Sequence, residues 1–216
     1  MNIIQNTKTY FGERAIRSYL KTSDRQVSAC NLVSAKSIGI LFNATYQVSF
    51  EIVKEMVKNL STKNNSIDVL GYVDSKQLID HYLYRKGFDF FTHKQLNWFY
   101  KPETESVNKF IKKPFDILIN LSLDEPYPIQ YILATSKARF KVGKYSEEQP
   151  YLDLMIDLEK EKATMNDLKT ELEKDLAKVK LKNKDVEKII DKKIQTEMQM
   201  NFLINQLIHY LSLIKN

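Results

Sequence analysis

Few residues of this chain have types and spacing that could do chemistry. The three histidines, His81, His93 and His209, lie far apart and form neither HExxH nor any paired spacing, and the single cysteine, Cys30, has no CxxC partner. All four read as structural or surface residues, so no metal site and no cofactor is expected. The turn Asn43-Ala44-Thr45 carries neither GxGxxG nor GxxxxGK[ST], the loops whose backbone N–H groups close on a phosphate, which counts against ordinary dinucleotide or ATP binding. A GxSxG nucleophile elbow is also missing. Two clusters of short polar side chains remain: Asn43 and Thr45, then Asn120, Ser122 and Asp124. They either bind a ligand together or cap the helices that follow them. A basic run, Lys137, Arg139, Lys141 and Lys144, has Phe140 and Tyr145 interleaved. That mixture suits an anion or nucleic-acid contact, and equally suits the blunting of an edge strand.

These residues need elements to position them. Phe115–Leu121 sets two polar residues, Asp116 and Asn120, among five core-type neighbours, which suits a strand covered on both faces and puts Leu118 and Ile119 in two different buried layers. Asp124 and Glu125 supply anionic first-turn groups, Pro126 and Pro128 stiffen the approach, and Ile129, Ile132 and Leu133 recur at helical spacing. Alternation over Ala138–Val142, with Arg139 and Lys141 on one side, predicts a short edge strand.

Upstream, Phe11–Leu20 has the period of a helix with Phe11, Ala15, Ile16, Tyr19 and Leu20 inward and Arg14, Arg17 and Lys21 outward. Ser37–Phe42 is a first strand, and Tyr46, Phe50, Val53, Met56 and Leu60 mark a following helix face. Ile67–Val73 is a second strand; Ser75 begins a helix that Gly87 can end; Phe88–Thr92 is a third strand, and Ser106–Lys112 a short helix. The segment between, with Trp98 flanked by Leu96, Phe99 and Tyr100, either anchors a loop on the core or forms a recognition surface. Tyr151–Asp157 is a further strand. Strands alternating with helices imply right-handed crossovers and an α/β, three-layer, mostly parallel sheet of the Rossmann-like or flavodoxin-like kind. In such sheets ligands sit beyond the carboxyl ends of the strands where strand order reverses, which would bring Asn43 and Thr45 to Asn120, Ser122 and Asp124.

After Asp157 the composition changes. From Leu158 to Met200 about half the residues are charged, of both signs, with no Gly or Pro. Leu168, Leu172, Leu176 and Val179 line one seam and Val186, Ile190, Ile194 and Met198 another, with Lys182–Asp185 as a reversal between them or as part of one long helix. Asn201–Ile214 is apolar enough to pack on the sheet through Phe202, Leu203, Leu207, Tyr210 and Leu211. The expected organisation is an α/β domain of residues 1–157 plus 201–216, with a charged, coiled-coil-like helical hairpin, 158–200, inserted.

Asn97-Trp98, FDILINLSL, YILATSKARFKVG, YLDLMID and LINQLIHYL together resemble an uncharacterised family of short Bacteroidota proteins. The likeness covers nearly all of Met1–Asp157 and then Asn201–Asn216. It implies the same fold and no established activity, and in that family the YLDLMI strand runs almost directly into the last helix. DILINLSL, a helix, then SKARFKVG is also similar to the first domain of lipopolysaccharide heptosyltransferases, whose second domain binds the nucleotide-sugar. This chain has no room for that second domain, and Asn43-Ala44-Thr45 stands where those enzymes have a Gly-Asp turn.

The chain has 216 residues, 43% of them hydrophobic, 33 Lys and Arg against 27 Asp and Glu, and a net charge of +6. That is ample for one core and only mildly biased towards anionic partners. The single cysteine suits a reducing compartment, the first ten residues lack the run of a secretory signal, and no eighteen apolar residues are contiguous. The expected function is a non-catalytic cytoplasmic binding or adaptor module, with a protein partner met through the 158–200 arm. The alternatives are a small glycosyltransferase-like enzyme acting on an anionic or sugar-bearing substrate near Asn43 and Ser122, and a nucleic-acid binder using Lys137–Lys144.

Overall fold

A computed structural model describes residues 3–61, 64–78, 87–147, 151–159 and 184–215. The elements in order are α1 (Ile3–Thr22), β1 (Ser37–Asn43), α2 (Gln47–Leu60), β2 (Ser66–Val73), β3 (Phe88–Thr92), α3 (Glu105–Lys112), β4 (Ile117–Asn120), α4 (Tyr127–Thr135), β5 (Phe140–Lys144), β6 (Leu154–Ile156) and α5 (Lys184–Leu213). The six strands form one sheet in the order β3-β2-β1-β4-β5-β6, with every pairing parallel. The chain winds outward from β1 to β3, returns to the other side of β1 with β4, and winds outward again. This is the Rossmann order, and its reversal lies between β1 and β4.

Near-continuous apolar runs in β1 and β4 are what a sheet buried on both faces requires. Ile38, Ile40, Phe42 and Ile119 meet a layer that contains Phe50 and Val53 of α2 with Leu203, Leu207 and Leu211 of α5. Leu41, Leu118 and Phe115 meet the opposite layer, with Ile16 of α1, Val107 and Phe110 of α3, and Ile129, Ile132 and Leu133 of α4. Leu118 and Ile119 are therefore buried on opposite faces, as the pattern of the strand predicts. On the second layer α1 and α4 approach closely. The Tyr127 hydroxyl donates to the Gly12 carbonyl at 3.0 Å, and a Cβ at Gly12 would come within 2.6 Å of the Tyr127 ring.

Three expectations change. The edge is formed by β6, which pairs with β5, so β5 lies inside the sheet and Lys141 turns inward. Asp74 to Gln77 form bends, and the remainder of the helix predicted there, residues 79–86, lies outside the described residues. Finally, α5 is a single helix from Lys184 to Leu213 with no break at residue 200, where the sequence pattern places a boundary. Met200 is buried in the same layer as Leu203, whereas Tyr210 faces solvent. The first seam, Leu168 to Val179, falls in residues 160–183, outside the described residues, as does the start of the Lys182–Asp185 reversal.

Candidate binding crevice at the carboxyl edge of the sheet

β1 ends in Asn43, whose side-chain oxygen accepts the Thr45 N–H at 3.0 Å and the Thr45 hydroxyl at 2.6 Å. The Thr45 oxygen in turn accepts the Asp74 N–H at 2.9 Å, so the turn after β1 is tied to the chain leaving β2. The Asp74 carboxylate takes the Tyr72 hydroxyl at 3.1 Å and pairs with His93, whose ring stacks on Tyr72. Burial first, then Asp74, drives the Tyr72 phenol far above its ordinary range, so it stays a donor.

Across the reversal, β4 ends in Asn120. Its amide is used at both ends: the oxygen accepts the Ser122 N–H at 3.1 Å and the nitrogen donates to Glu125 Oε1 at 2.5 Å. Asn120 and Ser122 are both buried, and among the described residues the Ser122 hydroxyl has no hydrogen-bond partner. The Glu125 carbonyl accepts from Gln130 at 2.8 Å, which bends the loop into α4. Burial pushes the Glu125 carboxyl up to about 7, against the pull of Lys144 and the Asn120 hydrogen bond. The Lys144 ammonium donates to the Leu123 carbonyl.

The two loops enclose a crevice of about 550 Å³, lined by Asn43, Thr45, Asp74, Asp124, Glu125, Gln130 and Lys144 among others. A narrower recess of about 170 Å³ continues from Asn43 and Asp124 towards Lys192 and Thr196 of α5. There the Lys192 ammonium lies 4.7 Å from the Tyr46 ring centroid and donates to its hydroxyl at 2.7 Å. Helices α2 and α4 both begin beside this crevice without a side-chain cap, at Tyr46 and Pro126. Their first N–H groups are therefore turned towards the same end of the sheet.

Of the five polar residues named from sequence, Asn43, Thr45 and Asp124 line the crevice, while Asn120 and Ser122 sit beneath its floor. Neither Asn43 nor Asn120 supplies a side-chain cap to α2 or α4. The basic run does not form one surface. Lys137 and Arg139 are exposed at the amino edge, with Arg139 3.5 Å from Asp116, and Lys144 is at the carboxyl edge. Lys141 is 1% exposed, and its ammonium donates to the Leu133 and Ala134 carbonyls at 2.6 and 3.4 Å, closing the end of α4. As a surface contact for nucleic acid Lys141 is excluded, because its ammonium is buried against the last turn of α4. Glu125 and Asp74 are the site residues that sequence reading missed. The available signal was a carboxylate pair, Asp124-Glu125, placed directly after a buried strand.

Residues 8–179 match the model of a family of unknown function (DUF6913). The chain belongs to this family. Its match takes in both loops of the crevice and runs past Asp157 into the charged stretch, ending before α5. No curated protein matches the chain, and no solved structure does. Among the described residues no group of three or more His, Cys, Asp or Glu could hold a metal ion, and no helix is long and apolar enough to cross a membrane.

Proposed function

We propose that this DUF6913 chain is a non-catalytic binding module of the cytoplasm whose ligand is a small, polar, hydroxyl-bearing molecule seated at the reversal of the sheet. One observation carries the reading: the crevice opens where the Rossmann order turns back between β1 and β4, the place at which open α/β sheets hold ligands. The lining argues for the ligand's chemistry. Among the described residues that line the crevice, Asp74, Asp124 and Glu125 stand beside one lysine, Lys144, which already donates to a carbonyl. Hydroxyl groups would find acceptors there, and three carboxyl groups to one lysine in the lining favour a neutral ligand over an anionic one. Cys30 as the lone cysteine supports a reducing compartment.

Thermal shift against neutral sugars, polyols, nucleotides and nucleotide-sugars tests this. A neutral polyhydroxyl ligand should raise the melting temperature with concentration, and Asp124→Ala should remove the shift. Stabilisation by anionic ligands alone, or by none of the panel, would overturn the reading. The second reading, a small glycosyltransferase-like enzyme, is favoured by Glu125, a carboxyl titrating near neutrality on the crevice wall, as a general base would. Turnover of a nucleotide-sugar, abolished by Glu125→Gln, would put that reading first.

A further inference from the structure

A second surface, independent of the crevice, lies where α1 meets the loop after β3. Tyr10, Phe11 and Trp98 are 59%, 43% and 55% exposed, yet they touch: Tyr10 and Phe11 at 5.8 Å between ring centroids, Phe11 and Trp98 at 5.3 Å. The sequence offered anchor and recognition roles for Trp98. The anchoring falls to Leu96, packed against the α1, α3 and α4 layer, and Trp98 is left outside.

The loop that displays it is tightly specified. Leu96 and Pro102 form an antiparallel bridge, the Asn97 N–H donates to the Lys101 carbonyl at 2.9 Å, and the Asn97 side-chain oxygen accepts the Phe99 and Lys101 N–H groups at 3.1 and 3.0 Å. This holds Tyr100 at φ 67°, a region that aromatic residues seldom occupy, with the Lys8 ammonium 5.2 Å from its ring centroid. Such a conformation persists only where the surrounding structure over-determines it, as these hydrogen bonds do.

Charge accompanies the aromatic cluster. Tyr10, Arg14, Arg17 and Lys21 recur at helical spacing and are all exposed, so a basic stripe runs down α1 from the aromatic tip. Within α1 the only acid is Glu13, and it is paired with Arg17 at 3.3 Å. The partner of this flank is therefore anionic. The cluster is separate from the sheet's carboxyl edge, since neither the crevice nor its recess is lined by Tyr10, Phe11 or Trp98. Successive rings meet at 79° and 62°, edge to face. Single-stranded nucleic acid needs open ring faces along a groove. A bilayer interface needs no groove: it accepts Trp, Tyr and Phe at the level of the headgroups and draws in cations beside them.

We propose that the Tyr10, Phe11 and Trp98 tip, with Arg14, Arg17 and Lys21, docks the protein peripherally on an anionic lipid bilayer. Trp98 is the only tryptophan in the chain, so its fluorescence reports the contact directly. The full chain should co-sediment with vesicles of phosphatidylcholine containing phosphatidylserine, with a blue shift of Trp98 emission that high salt reverses. Vesicles of phosphatidylcholine alone should give neither. Replacing both Arg14 and Arg17 with Gln should weaken binding by about tenfold or more. Phe11→Ser should weaken it too, with Tyr10→Ser as the alternative variant if circular dichroism shows that Phe11→Ser misfolds. Equal binding to neutral vesicles, absence of binding at low ionic strength, or a Trp98 response to a single-stranded oligonucleotide but not to vesicles would each overturn the proposal.

Discussion

Glu125 at the carboxyl edge of the sheet and Lys141 at its amino edge are both ionisable groups held at about 7, from opposite directions, with burial as the first cause in each case. Their surroundings differ. Glu125 forms part of the wall of a crevice and shares its hydrogen bond with a strand-end amide, whereas Lys141 is enclosed between β5 and the last turn of α4 and donates to carbonyls that have no other helical partner. The aliphatic stem of Lys141 completes an apolar layer, and its ammonium complements the negative end of the helix dipole. Displaced titration alone therefore does not mark a functional group; displacement combined with access to a ligand-sized space does. The amino edge is further closed by a bidentate pair between Arg25 and Asp153 at 2.7 and 2.8 Å, with Asp153 also accepting the Lys141 N–H. The carboxyl edge is left open by short polar loops.

The comparison assumes one rigid frame between the two edges, and breaking that frame gives the largest effect. Leu118→Ala and Ile119→Ala should each cost about 2–5 kcal/mol in denaturant unfolding, because each empties a buried site on one face of β4. A loss below about 1 kcal/mol for either would mean that its layer is loosely packed.

Lys141→Met comes next, and it should stabilise. The folded-state value of Lys141 lies below its ordinary 10.5, so the charged form is penalised fully below pH 7, and the penalty fades as pH rises from 7 to 10.5. Removing the charge should add about 1–4 kcal/mol at pH 6, less the two hydrogen bonds lost, and close to nothing of that gain should remain near pH 10.5. Destabilisation at pH 6 would show that the carbonyl contacts outweigh burial.

Glu125→Gln should show the mirror-image dependence. Because the folded-state value lies above the ordinary 4.5, the penalty is complete above pH 7 and absent below 4.5, so wild-type stability falls as pH rises between those limits. The variant should gain about 1–3 kcal/mol at pH 8 and nothing near pH 4, as read from melting curves across that range. In the double variant with Lys141→Met the two gains should add within about 0.5 kcal/mol, since the groups share no partner; a larger discrepancy would mean that the two edges are coupled.

The smallest stability effect is expected at Asp124, on the crevice wall. Asp124→Ala should change unfolding free energy by no more than about 0.5 kcal/mol, because among the described residues the exposed side chain makes no hydrogen bond or ion pair. A substantial loss of stability would turn Asp124 from a ligand-facing residue into a structural one.

Much of this architecture was determined by the order of residues along the chain. Apolar runs of strand length alternating with 3.6-residue periodicities specify parallel strands with helical crossovers, and the handedness of those crossovers limits the sheets they can build. The same pattern put Leu118 and Ile119 in different layers and placed Asn43, Thr45 and Asp124 just beyond two strand ends that a reversal could bring together. What covers each face was decided only by the tertiary structure. Alternation at the start of β5 separates Arg139 and Lys141 from Phe140 and Val142, but a three-residue strand, Leu154–Ile156, takes the edge, and the end of α4 encloses the Lys141 ammonium. Two-residue periodicity records that the faces differ; the pairing of an edge is a contact between distant parts of the chain and leaves no mark in either strand alone. For the same reason the elevation of Glu125, the outward position of Trp98 and the continuity of α5 across residue 200 were not legible. Each depends on how many neighbours remove water from a group, and that number is set by packing between elements.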